Sequence, residues 1–361
     1  MNLGYATLTN SRVSGLSAHS HIGGSNPMNQ TTPSRSGRRR SRLVLGAMVA
    51  VIALLAALLG ACGSNDSDSD SAGEITLENA FGTSKIPASP KRILAVSEAD
   101  LNAAQALGVT PSIVAEYKEF PFNTWTTDAL TKGGADPERI WTGTSYEIRT
   151  EDVVKARPDL ILAVGSWYMD DTYKQLSKIA PVVTFPKPFT SPSDVDAPTF
   201  LRTVAKALGK EKEAETVIAD TDAKAAQWRK DNPSVVGKTA ALAVQYIGGG
   251  LSNDSVEPYV ANYLKMFGLV PPPSTDPAKP SMEDLSSLDR DILILNFYAD
   301  RKEITENSVF KNLAVVRDGR TIENKALSEA AGTPTYLNMN YVLDNAGVRD
   351  ALTAAAGKVK S

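Results

Sequence analysis

The sequence predicts an α/β protein of two Rossmann-like lobes with mainly parallel sheets, joined by a single long helix, with a ligand cleft between the lobes. Three observations predict it. First, the segment "EDVVKARPDLILAVG", Glu151 to Gly165, returns in outline 132 residues later as "EDLSSLDRDILILNF", Glu283 to Phe297. Each copy begins Glu-Asp, reaches an aspartate eight positions after its glutamate (Asp159, Asp291) and runs on into four uncharged aliphatic residues. That pitch is far longer than the ~20–50 residues of stacked repeats, so it implies two lobes built alike. Second, β-rich runs alternate with helical ones, the pattern of a parallel sheet with helices on both faces. Third, a stretch without any strand signal separates the two alternating regions.

In chain order, "ILAVSE" (Ile93 to Glu98) is a strand, and Leu101, Ala104 and Leu107 share one helical face before Gly108 ends the helix. "SIVAEY" is the next strand. "RTEDVVKARPDLILAVG" reads as helix, break at Pro158, then strand; "TYKQLSKIA" is a helix and "PVVTF" a strand bounded by prolines. From Pro198 to about Lys230 the chain is helical, with Val217, Ile218, Thr221, Ala225 and Trp228 in one stripe. Strand resumes at "TAALAVQY" (Thr239 to Tyr246), followed by a helix "YVANYLKMFGL" and the second copy of the repeat. "VVRDGRTIE" reads as a hairpin turned at Asp318-Gly319, and "NYVLDNAGVRDALTAAAG" as one closing amphipathic helix.

The first 61 residues are a targeting signal rather than part of the fold. They carry six arginines and no Asp, Glu or Lys, and "RSGRRRSR" precedes the uncharged run Leu43 to Ala61. Nineteen apolar residues would also suffice to span a bilayer, but "LLGACGS" places two small residues directly before Cys62, the only cysteine. This box resembles the bacterial lipobox, which implies acylation of Cys62. The Ser/Asp/Gly stretch Gly63 to Gly73 is then a solvated tether. Residues 1–34 read as an N-terminal extension, with Met28 an alternative start; Arg42 occupies the position where a twin-arginine signal carries an aromatic residue. The expected organisation is 1–61 signal peptide with extension, 62–73 lipidated cysteine and tether, 74–197 first lobe, 198–232 connecting helix region and 233–361 second lobe.

Beyond residue 61 the chain holds 32 Lys and Arg against 41 Asp and Glu, a formal charge of −9 that argues against a nucleic-acid partner. The two histidines, His19 and His21, lie in the signal segment. That excludes Ser-His-Asp and Cys-His triads and thiolate or imidazole metal sites in the folded part. "GGG" at Gly248 to Gly250 has neither P-loop nor dinucleotide spacing. Ligands of doubly wound sheets sit beyond the carboxyl ends of the strands, and the loops there are aromatic. Trp167 and Tyr168 follow the first repeated strand, Phe297, Tyr298 and Arg301 the second, and Tyr246 ends "TAALAVQY". Glu98, Trp125 and Arg149 lie at other strand ends of the first lobe. Each aromatic alone could equally pack in a core; their recurrence in both lobes points to a shared cleft.

Together, "PKRILAVSEADLNAAQALGVTPSIVA", "EDVVKARPDLILAV", "LSKIAPVVTF" and "LAVVRDGRTIE" resemble, in order and spacing, the solute-binding lipoproteins of ABC importers for iron-siderophores, haem and cobalamin. The resemblance spans roughly Ile75 to Leu352. It implies a non-enzymatic, probe-like capture of an Fe(III)-siderophore without an intrinsic cofactor or protein metal ligand, a monomer on the extracytoplasmic face of the cell membrane, and delivery to an ABC permease dimer. It also implies that one glutamate at the tip of each lobe, Glu151 and Glu283, docks on permease arginines; both would equally suit helix N-termini. Cobalamin or haem are the alternative ligands. An anchored carboxylate-dependent hydrolase using Glu98, Asp100, Asp170 or Asp171, and a structural surface protein, are the readings from other classes.

Overall fold

The computed structural model describes residues 73–360, except residues 119, 143–147 and 168 and the side chain of Asp171. The signal segment, Cys62 and Tyr168 therefore lie outside the described residues. The chain opens with an antiparallel hairpin, β1 (Glu74–Asn79) and β2 (Gly82–Pro87), that the sequence reading passed over. Every second residue of these strands faces inward, and Leu77 and Ile86 are buried in the first lobe's core.

The first lobe continues with β3 (Ile93–Ala95), α1 (Glu98–Ala106), β4 (Ile113–Tyr117), α2 (Thr124–Lys132), β5 (Glu138–Thr142), α3 (Thr150–Ala156), β6 (Leu160–Leu162), α4 (Met169–Leu176) and β7 (Val182–Val183). The five strands β3–β7 are all parallel, in the order β5-β4-β3-β6-β7. The strands are short and aliphatic because both faces are covered: one packs on α1 and the later helix at 197–208, the other on α3 and α4. The order reverses between β3 and β6, which opens a crevice at their carboxyl ends.

The bridging region holds α5 (Ala197–Leu208) and α6 (Glu211–Asp231), separated by Gly209 at φ +64°, and α6 is the single long helix that joins the lobes. Gly209 supplies the left-handed residue that ends α5. The expected stripe is real: Ala214 and Ile218 of α6 join the first lobe's core, whereas Ala225 and Trp228, further along, join the second lobe's. At 21 residues α6 is ~32 Å long, enough for one helix face to serve both cores.

The second lobe comprises β8 (Ala240–Gln245), β9 (Leu251–Asn253), α7 (Pro258–Met266), β10 (Ile292–Phe297), α8 (Lys302–Thr305), α9 (Ser308–Asn312), α10 (Ala314–Arg317), β11 (Thr321–Ile322), α11 (Lys325–Gly332), α12 (Tyr336–Asp344) and α13 (Ala346–Ala356). Its sheet order is β11-β10-β8-β9, parallel except for β9. Two expectations fail here. "VVRDGRTIE" is not a hairpin: Ala314–Arg317 is helical because Asp289 accepts the exposed amides of Ala314 and Val315 at 3.0 and 2.8 Å, and β11 then pairs parallel to β10. The closing helix is broken at Asn345, whose side chain accepts from the Val348 amide and caps a second helix. Among the described residues, no helix is long and apolar enough to cross a membrane.

The repeated aspartates do the same job in both lobes. Asp159, entering β6, accepts from the amides of Lys91 and Arg92 at 2.7 and 2.9 Å, just before β3. Asp291, entering β10, accepts from the amide and hydroxyl of Thr239 at 2.8 and 2.9 Å, just before β8. In each case the carboxylate satisfies donors at the start of the neighbouring parallel strand and fixes its register. Replacing Asp291 by Ala leaves these donors unpaired. We expect Asp291→Ala to lower unfolding free energy by about 1–3 kcal/mol in urea denaturation.

Candidate functional site

The crevice between β3 and β6 is held by one buried carboxylate. Ser97 caps α1, and Asp100 in its first turn is wholly buried. Asp100 accepts from the Val164 and Gly165 amides beyond β6, at 2.8 and 3.3 Å, and from the Ser97 hydroxyl at 2.6 Å. Gly165 is required by this close approach: a Cβ there would lie 2.8 Å from Ser97 Oγ and 3.1 Å from the Ala99 Cβ. Asp100 thus sets the path of the loop that presents Trp167. Burial pushes its carboxyl up to about 6, against the lowering effect of the Ser97, Gly165 and Val164 hydrogen bonds.

Beside this loop lies a cavity of about 170 Å³. Gly165, Trp167 and Phe200 form one wall, Tyr259 and Tyr263 of α7 another, and Tyr336 and Met339 of α12 the base. Residues of both lobes and Asp222 of α6 contribute, so the space belongs to the junction rather than to either sheet. Tyr263 is fully buried and donates to the Leu327 carbonyl at 2.9 Å, which braces α7 against α11. Trp167 is 59% exposed, an aromatic face held at the mouth rather than sunk in the core.

A second aromatic surface caps the other sheet. Tyr246 and Tyr298, at the carboxyl ends of β8 and β10, stack with ring centroids 5.9 Å apart and planes at 20°. Both remain exposed, at 50% and 39%. The Tyr246 hydroxyl donates to Asp254 at 2.8 Å. Burial, with Asp254 secondary, raises the Tyr246 and Tyr259 phenols above their ordinary value, so both remain neutral. Tyr259, whose phenol Asp254 helps to raise, also lines the cavity.

The structure leaves Trp167, Tyr246 and Tyr298 as accessible aromatics, and commits other expected residues to internal contacts. Trp125 is 4% exposed, packed in the second lobe's core and 5.8 Å from the Tyr341 ring, so it locks the lobes together and cannot touch a ligand. Glu98 is consumed internally: it accepts from the Asn123 amide and side chain and from the Thr126 hydroxyl at 2.8, 3.0 and 2.5 Å, fixing the start of α2. Burial raises its carboxyl. Arg149 pairs with Asp152 at 2.5 Å in the first turn of α3. Arg301 pairs with Glu323 at 2.6 Å and covers the Phe297 ring. Tyr259, Tyr263, Tyr336 and Phe200 escaped the sequence reading because their helical spacing is the spacing of ordinary core residues. Among the described residues no group of three or more His, Cys, Asp or Glu could hold a metal ion.

Glu151 and Glu283 are both exposed. Since β5 and β6 are parallel, α3 between them runs backward, and Glu151 lies at the same sheet edge as the cleft loops. Glu283 sits in a turn, not at a helix start, next to Met282, which lies against the Gly250 turn beyond β8.

Two lobes, each with a mainly parallel sheet, and an aromatic cavity at their junction are the architecture of a binding protein, and a family model described as "Periplasmic binding protein" matches residues 93–326. The chain belongs to the periplasmic binding protein family. Like other such proteins it is a binding protein and not an enzyme. This periplasmic binding protein is similar to the Fe(3+)-citrate-binding protein YfmC of Bacillus subtilis (strain 168), with 27% identity over 77% of this chain and 88% of the relative. Among solved structures it is similar to a periplasmic solute binding protein from Mycobacterium smegmatis str. MC2 155, with 26% identity, a TM-score of 0.66, and coverage of 80% of this chain and 99% of that one. It shares its fold with PiaA of Streptococcus pneumoniae TIGR4 in complex with ferrichrome, with 22% identity, a TM-score of 0.65, and coverage of 79% and 100%.

The Asp100 clamp makes a pH prediction for this periplasmic binding protein. Because its folded-state value of about 6 lies above the ordinary 3.8, the native state binds the extra proton between these values. This contribution to stability is therefore full below pH ~4 and is lost as pH rises through ~6, by up to about 3 kcal/mol. Asp100→Asn keeps the acceptor oxygen but does not titrate. Urea denaturation at several pH values should show that this variant lacks the wild-type loss of stability across that window.

Proposed function

We propose that the protein captures a ferric siderophore in the cleft between its lobes and delivers it to an ABC importer for iron uptake. The observation that carries this reading is the aromatic cavity lined by Trp167, Tyr259, Tyr263 and Tyr336, to which both lobes contribute, together with the exposed stacked pair Tyr246 and Tyr298 at the strand ends of the second lobe. A siderophore brings its own oxygen ligands to iron, so its binding protein needs an aromatic, partly apolar recess and not a set of metal-ligating side chains. The recess here has that character. At about 170 Å³ it is smaller than the ~300–1,000 Å³ of drug-sized sites, so it receives one arm of the chelate while the body rests on the exposed rings at its mouth. His-ligated haem is disfavoured as a ligand, because no histidine follows His21.

In this reading, acyl chains on Cys62 anchor the protein to the membrane, residues 63–73 act as tether, and Glu151 and Glu283 meet the permease. Supporting this, Glu151 lies at the sheet edge that bears the cleft loops and Glu283 is exposed next to Met282, beside the Gly250 turn beyond β8, positions that would let the protein present cargo and carboxylates to one partner.

Ligand binding is tested by tryptophan fluorescence. A panel of ferric chelates, haem and cobalamin should yield submicromolar quenching by at least one ferric chelate, with Trp167→Phe abolishing most of the signal and Trp125→Phe retaining it. Saturation by none of the ferric chelates removes the reading. The docking role is tested separately: the Glu151→Ala, Glu283→Ala double variant should bind the chelate normally yet support at least tenfold slower iron uptake by cells. Unchanged uptake would dismiss these glutamates as docking groups.

A further inference from the structure

We infer that the cleft selects ferric trishydroxamate chelates, which carry no charge or one positive charge, over anionic catecholate and carboxylate chelates; this rests on the reading of the cleft as a ferric-chelate site. The charges around the recess carry the inference. Among the described residues, Asp196 and Asp222 line the cavity and no lysine or arginine does. Two tyrosines of the second lobe continue the pattern, since Tyr246 is bonded to Asp254 and Tyr259 feels both Asp254 and Glu257.

Four basic side chains of the two lobes are already paired. Arg301 is paired with Glu323 at 2.6 Å, Arg202 holds Glu215 through two bonds of 2.6 and 2.9 Å, and Lys325 lies 3.6 Å from Glu329. Arg149 is committed to Asp152. An anionic chelate would meet the lining carboxylates with no lysine or arginine among the described lining residues to offset them.

The chemistry of the chelates then decides between them. Three hydroxamates carry one negative charge each and cancel the charge of the ferric ion, which leaves a neutral complex with an apolar periphery suited to the faces of Trp167, Tyr246 and Tyr298. Three catecholates carry two negative charges each and leave a trianion. At roughly 10 Å in water each like-charge pair weakens binding about twofold, and a trianion facing Asp196 and Asp222 makes six such pairs. A pendant ammonium on a hydroxamate chelate would be attracted by the same carboxylates.

The test is isothermal titration of the chain truncated to Asp68–Ser361, a single compact unit that holds all five hydrophobic clusters, with ferrichrome (neutral), ferrioxamine B (one positive charge), ferric enterobactin (trianionic) and ferric citrate. The expected result is that at least one hydroxamate chelate binds tenfold or more tighter than either anionic chelate, a difference of about 1.4 kcal/mol or more. In the Asp196→Asn, Asp222→Asn double variant that gap should narrow severalfold; Asn at 196 keeps the cap of α5. Equal or tighter binding of an anionic chelate overturns the charge selection while leaving the ferric-chelate site intact. A gap unchanged in the double variant overturns the assignment to these carboxylates. Binding of none of the four defeats both this inference and the reading beneath it.

Discussion

Parallel sheets leave backbone amides unpaired where strands begin and end, and in this protein buried or half-buried carboxylates take them up. Asp159 and Asp291 hold the entrances of β3 and β8, Asp100 holds the exit of β6, and Asp289 holds the start of α10. Each such bond is charge-assisted and so stronger than a neutral one. Their positions matter more than their number. The entrance clamps fix which residues of neighbouring strands lie side by side, and that register determines which side chains reach the carboxyl edge. The exit clamp then directs the loop carrying Trp167 toward the cavity. Geometry at the recess thus depends on groups that never face it.

The lobes are coupled by three elements with different roles. Helix α6 contributes Ala214 and Ile218 to one core and Ala225 and Trp228 to the other. Helix α12, although it follows the second sheet, places Tyr336 in the first lobe's core and is tied to α6 through Asn340 on Thr221, at 2.7 Å. Helix α2 of the first lobe returns the exchange by burying Trp125 in the second core. Elements of each lobe are thus embedded in the other, which is a tighter arrangement than two domains meeting on flat faces.

Much of this fold was legible in the sequence, and the reasons are particular. The aspartate of "ARPDLILAV" and "SLDRDILIL" marks a strand that follows a carboxylate clamp, and the aliphatic runs after it can only be fully buried parallel strands. The α6 stripe was legible because its period is regular. What failed were places where a tertiary partner overrides local pattern: Asp289 turns "AVVR" into a helix, and Asn345 divides a continuous amphipathic run. The site was only partly legible. Exposed aromatics at strand ends were identified from topology, yet topology cannot tell Trp167, which faces the mouth, from Trp125, which another lobe covers. Nor can sequence reveal that Arg149 and Arg301 already have carboxylate partners.

The interlocking of Trp125 with Tyr341 has a kinetic meaning. Two lobes that share buried aromatic contacts cannot swing apart without exposing them, so the recess exists before any ligand arrives. A receptor of this kind loses no affinity to a rare competent state. Its encounters with cargo are limited by diffusion and orientation, and differences among cargoes are expressed chiefly in how long each one stays.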